Sequence, residues 1–128
     1  MAYSTAEAEK WAEEMGQLTS ECTALLGREL AAYAGGAAHP QELDEWIGRP
    51  DETARLARER LEAARRIVRE IGGSRPGDVA RAVAWFRDPD PALGDISPAT
   101  ALHLSTSSEV HAVLLARAAR QAAPALTA

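Results

Sequence analysis

The chain has 128 residues, 46% hydrophobic and 26% charged, which suits one ordinary domain or two small helical subdomains and excludes a large multidomain enzyme. Its 19 acidic and 14 basic residues give a formal net charge of -5, which works against indiscriminate attraction to nucleic acid or to an anionic membrane. Cys22 is the only cysteine, so no intramolecular disulfide forms; no apolar run reaches the roughly 20 residues of a membrane span, and the opening "MAYSTAEAEKWAEE" is acidic where a signal peptide is basic. A cytoplasmic protein without a metal or other cofactor is expected.

Ser4 with Glu7 three residues on has the form of a capping box and predicts a helix start. Trp11, Met15, Leu18, Cys22, Leu25 or Leu26, and Leu30 follow at steps of three and four, one face of a helix or of two successive helices, with Gly16 and Thr19-Ser20 as places for a break. Gly35 and Gly36 suit a turn, and Pro40 the first turn of a short helix that puts Leu43, Trp46 and Ile47 on one side before Gly48 to Pro50 end it. A long helix is expected from Asp51 or Glu52 to Ile71, burying Ala54, Ala57, Leu61, Ala64, Ile67 or Val68, and Ile71.

Asp78 is the expected N-cap of "VARAVAWF", whose Val79, Val83 and Phe86 share a face with Ala82 and Trp85 alongside. The next stretch, "WFRDPDPALGDISPATAL", forms a corner. Pro89 and Pro91 withhold backbone donors, Gly94 permits reversal, and Ser97-Pro98 starts another helix with Ala101, Leu102 and Leu104 as contacts. Trp85, Phe86, Leu93 and Leu102 are expected to pack beneath that corner. Ser107 or Ser108 starts a last helix carrying Val110, Val113 or Leu114, then Arg117 and Arg120, and Pro124 is expected to end it. No window alternates as a strand does, so the fold class is all-α, with six to eight helices.

No catalytic constellation is legible. His39, His103 and His111 lack zinc spacing, Ser97 lacks a nucleophile elbow, and "GGSRPG" lacks the lysine of a phosphate loop. The chain therefore reads as a non-enzyme. Arg49, Arg55, Arg58, Arg60, Arg65, Arg66, Arg69 and Arg75 cluster on the long helix and its flanks among Glu59, Glu62 and Glu70, and Glu62 with Arg66 is a favourable i, i+4 pair, so a salt-bridged solvated face is expected. "GRELAAYAGGAAHPQELDEWIG" has the outline of a helix-turn-helix. Gln41, Arg49, Arg55 and Arg58 are its candidate DNA contacts, while Glu42, Asp44 and Glu45 on the second helix would repel phosphates.

Together "LLGRELAAYAGGAAHPQELDEWIG", "RLEAARRIVREI", "VARAVAWFRDPDPALGDISPATAL" and "EVHAVL" resemble the MbcA/ParS/Xre antitoxins over roughly residues 18 to 120. That family joins a degenerate Xre-type helix-turn-helix to a C-terminal toxin-binding domain. The more specific half matches at Trp85, Pro89, Pro91, Leu93, Gly94, Ser97, Pro98, Leu102 and Val110; it departs at Asp90, where Asn is common, at the turn "STSSE" and in the acidic second helix. The resemblance implies an N-terminal extension over 1–18, an Xre-like domain over 19–75, a toxin-binding domain over 76–122 and a tail over 123–128. It implies a RES-domain toxin, which degrades NAD, as partner, its active site blocked by the antitoxin's C-terminal region, and assembly as a homodimer or larger complex. Candidate toxin contacts are Arg87, Asp88, Asp90, Asp95, His103, Glu109 and His111. Operator DNA is a further partner by topology, disfavoured by charge. A helix-turn-helix regulator and a helical adaptor that keeps the fold for another partner stay open as alternatives.

Overall fold

A computed structural model describes residues 4–72, 76–106 and 108–127. Among these the chain is all-α, with seven α-helices and one short 3-10 turn: α1 (Thr5–Leu26), α2 (Arg28–Ala34), α3 (Glu42–Gly48), α4 (Glu52–Gly72), α5 (Pro76–Arg87), the 3-10 turn (Pro91–Leu93), α6 (Pro98–Leu104) and α7 (Ser108–Thr127). No helix of the described residues is long and apolar enough to cross a membrane. Arg75 and Ser107 lie outside the described residues.

The core is organised around α4, which touches each of the other six helices. The expected stripe of Ala54, Ala57, Leu61, Ala64, Ile67, Val68 and Ile71 is buried, joined by Ala63 and Gly72. Alanines at alternate contacts let neighbouring backbones approach closely. Gly72 is the extreme case, because a Cβ there would lie 2.8 Å from the Val79 Cα at the α4–α5 corner. Phe86, Leu102 and Leu114 fill the C-terminal side of the same core, and Met15, Leu18 and Cys22 fill the N-terminal side.

Helix α1 starts as predicted, with Ser4 Oγ accepting from the Glu7 amide at 3.1 Å. It does not break at Gly16 or at Thr19-Ser20. The buried Thr19 hydroxyl donates to the Gly16 carbonyl at 3.0 Å, and the helix runs on to Gly27, whose φ of 85° is the left-handed geometry that ends it. Trp11 anchors the first turns, its indole N–H donating to the Trp46 carbonyl at 2.7 Å. The Cys22 thiol is fully buried and pushed up to about 12 by burial, so it is an inert core group.

Other boundaries differ from the sequence reading for local reasons. Helix α3 begins at Glu42, after a turn in which the Pro40 and His39 carbonyls already accept from Leu43 and Glu42. Helix α5 begins at Pro76, whose fixed φ suits a first helical position, so Asp78 lies in the first turn and pairs with Arg81 at 3.1 Å. Leu104 is not a core contact; at the last residue of α6 it is 67% exposed. Of the pair Val113 and Leu114, it is Leu114 that is buried and Val113 that is 59% exposed. Helix α7 passes through Pro124 and ends at Thr127: near a helix end proline removes one bond of a ladder that is already running out of partners.

Candidate functional site

The corner between α5 and α6 is built on Asp90. Its backbone is extended, pairs with Ile96 and accepts from the Leu93 and Asp95 amides, closing the turn on itself. Its carboxylate is 5% exposed, not outward-facing as expected of a contact residue. Oδ1 accepts from the Ala92 amide at 2.9 Å, and Oδ2 accepts from the Trp85 indole and from Arg117 Nε, each at 3.1 Å. The Arg117 guanidinium, with the Ala92 and Trp85 donors, holds the Asp90 carboxyl below the usual carboxylate range against the cost of burial. One side chain thus ties the end of α5, the 3-10 turn and α7 together.

The rest of the corner follows the sequence reading. Ser97 Oγ accepts from the Thr100 amide at 3.0 Å, Pro98 is buried in the first turn of α6, and Phe86 and Leu102 are fully buried with Trp85 and Leu93 half-buried beside them. Pro89, Pro91 and Gly94 are on the surface. Asp95 adopts a φ of 65°, a left-handed conformation that few residues other than glycine and short polar side chains tolerate. What the corner exposes is Arg87, Asp88 and Asp95, and Glu109 at the start of α7 is exposed as well.

The two half-buried histidines assigned to the same surface are engaged by neighbouring elements of the fold. His103 stacks on Tyr33 of α2 with ring centroids 4.1 Å apart, and its Nδ1 lies 2.7 Å from the Tyr33 carbonyl. The Tyr33 hydroxyl is 3.1 Å from Thr100 Oγ1, so α2 and α6 are stapled twice. His111 Nε2 lies 3.1 Å from Ser105 Oγ, which donates to the Leu102 carbonyl at 2.7 Å. Burial lowers the His111 pKa, Arg60 acts in the same direction and Glu59 opposes it. The neutral imidazole is therefore favoured in the fold and the unfolded chain binds more protons, so stability rises with pH. This contribution is complete above the ordinary imidazole value of about 6.5 and is lost as pH falls through the lower folded value. A His111→Gln chain should show a flatter dependence of its melting temperature between about pH 5 and 7 than the parent chain.

A residue that sequence reading left in the solvated arginine face is turned inward. Arg60 donates through Nη1 to the Gly35 carbonyl at 3.1 Å and through Nε and Nη2 to the Ser105 carbonyl, joining the α2–α3 turn to the α6–α7 turn. Only the close approach allowed by Gly36 would have hinted at it. Three arginines of α4 form ion pairs with carboxylates of α1: Arg58 with Glu14, and Arg65 and Arg69 with Glu21, at 2.9 to 3.0 Å. Glu62 pairs with Arg58 instead of Arg66.

The candidate DNA contacts are divided. Gln41 and Arg55 are exposed; Arg49 reaches back to Glu45 at 3.6 Å; Arg58 is held between Glu14 and Glu62 and lies 5.3 Å from the Trp11 ring, which withdraws it from a phosphate surface. The carboxylates of α3 serve local structure: Glu42 accepts from the Ala38 and His39 amides and Asp44 pairs with Arg28 at 2.9 Å.

A groove of about 770 Å³ runs along α2, floored by Leu30, Ala32 and Ala37, walled by Tyr33 and rimmed by Arg28 and His39. Its far edge is Arg87, the last residue of α5, so the groove and the corner form one surface. No family model, no curated protein and no solved structure matches the chain.

Proposed function

We propose that the chain is an antitoxin that binds a RES-domain toxin and blocks its NAD site, using the surface that the α5–α6 corner presents. The resemblance of residues 85 to 110 to the antitoxin family supports this reading. The observation that carries it is the Asp90 brace. A buried carboxylate with three kinds of donor holds a Pro-rich turn around which Arg87, Asp88 and Asp95 are exposed. A contact surface fixed before binding loses less conformational freedom on association. A net charge of -5 also suits a protein that covers an anion-binding cleft, because complementary charge speeds encounter and sets register.

Purified chain titrated into a RES-domain protein encoded beside it should abolish NAD loss at a stoichiometric ratio. The triple variant Arg87→Glu, Asp88→Lys, Asp95→Lys should keep its helical circular dichroism and inhibit at least about tenfold less well. A parent chain that neither binds nor inhibits such a protein overturns the reading.

A further inference from the structure

We infer that the groove along α2 receives an extended segment of the partner protein, with an apolar side chain seated on the groove floor and a carboxylate held at the arginine rim. This rests on the antitoxin reading and extends its contact surface from the corner, through Arg87, along α2. Helix α2 has seven residues and rises about 10 Å, the length of roughly three extended residues, so a short strand-like segment laid along it spans the helix from end to end. Its volume of about 770 Å³ lies in the range that takes up a compact ligand.

Charge selects the occupant. The chain is acidic overall, yet the residues lining the groove include two arginines, Arg28 and Arg87, and one carboxylate, Glu29. The present partners of the two arginines give way easily. Arg28 meets Asp44 at 2.9 Å and Arg87 meets Asp88 at 3.7 Å, and all four side chains are substantially exposed, a setting in which an ion pair contributes little. An incoming carboxylate replaces them while its apolar neighbour covers Leu30, Ala32 and Ala37. Tyr33 is held in place by the His103 stack and the Thr100 bond, so this wall is ordered before the segment arrives.

Two measurements separate this inference from the reading on which it rests. In the first, Arg28→Glu and Ala38→Glu, both confined to the groove, are titrated against the RES-domain toxin beside Asp95→Lys, which is confined to the corner. The groove variants should each weaken binding by about tenfold or more with unchanged thermal melts. Parent-like affinity in both, with Asp95→Lys weakened, overturns the groove inference and leaves the antitoxin reading intact. The second needs no toxin. The peptide acetyl-Leu-Ala-Glu-Leu-Ala-Glu-amide, added to isotope-labelled chain, should shift the amide resonances of Gly27, Ala32 and Ala37, and its Gln twin should shift them much less. No shift with either peptide, or equal shifts with both, overturns the inference whatever the toxin does.

Discussion

Asp90→Ala should destabilise the chain by about 3 kcal/mol, the lower end of what removing one partner of a buried ion pair costs, since Arg117 keeps some solvent. The substitution leaves the Trp85 indole N–H, the Ala92 amide and the Arg117 guanidinium without their shared acceptor. Asp90→Asn should cost less, about 1 to 2 kcal/mol: the amide keeps the shape and one acceptor and turns a second donor toward groups that are themselves donors. The sign of the pH dependence follows from the lowered folded pKa. Stability from Asp90 is present above the ordinary aspartate value of about 3.9 and is lost as pH falls through the lower folded value. Chemical denaturation of parent and Asp90→Ala should therefore show a constant gap from neutral pH to about pH 4 that closes in stronger acid. A gap that is small at neutral pH would show that the corner holds without its brace.

Gly36→Ala should cost about 2 to 4 kcal/mol for two reasons that can be separated. The residue has a φ of 101°, which a side chain tolerates poorly, and an added Cβ would stand 2.0 Å from Arg60 Nη1. Arg60 cannot swing aside freely, because it is bound to the Gly35 and Ser105 carbonyls and its displacement leaves both acceptors short of a donor. Burial also lowers the Arg60 pKa, as expected of a guanidinium whose partners are carbonyls and not carboxylates. In an Arg60→Ala background the clash is gone, so the cost of Gly36→Ala should fall to the backbone term of about 1 to 2 kcal/mol. Equal costs in the two backgrounds would mean that Arg60 does not latch the two turns.

These two residues also mark the limit of what the chain reveals when read in order. Local periodicity determined the helices: the apolar faces of α1, α3 and α4 are buried at the positions that steps of three and four predict, because those steps place side chains on one side of a helix wherever it lies. Capping was equally local, at Ser4 and Ser97. Gly16 was misleading because glycine does not stop a helix whose apolar face continues past it; Gly27 stops α1 by adopting a positive φ.

Everything decided by distant pairs required the tertiary structure. Asp90 looked like one more exposed acid of a Pro-rich loop, and only the return of α7 brings Arg117, 27 positions later, against its carboxylate. Arg60 resembled its neighbours in a charged helix until the α6–α7 turn placed the Ser105 carbonyl over it. The arginines of α4 find Glu14 and Glu21 across a helix interface, so they were readable as a charged face and unreadable as pairs. The groove joins residues 26–40 to Arg87 and has no signature in either segment. The sequence by itself determined most of the apolar residues that turn inward and where most helices begin, since both depend on neighbours within a few positions. Which polar groups meet, and therefore which charged residues stay on the surface for a partner, was decided by packing, because a buried charge is tolerated only where the fold brings it donors or acceptors from elsewhere.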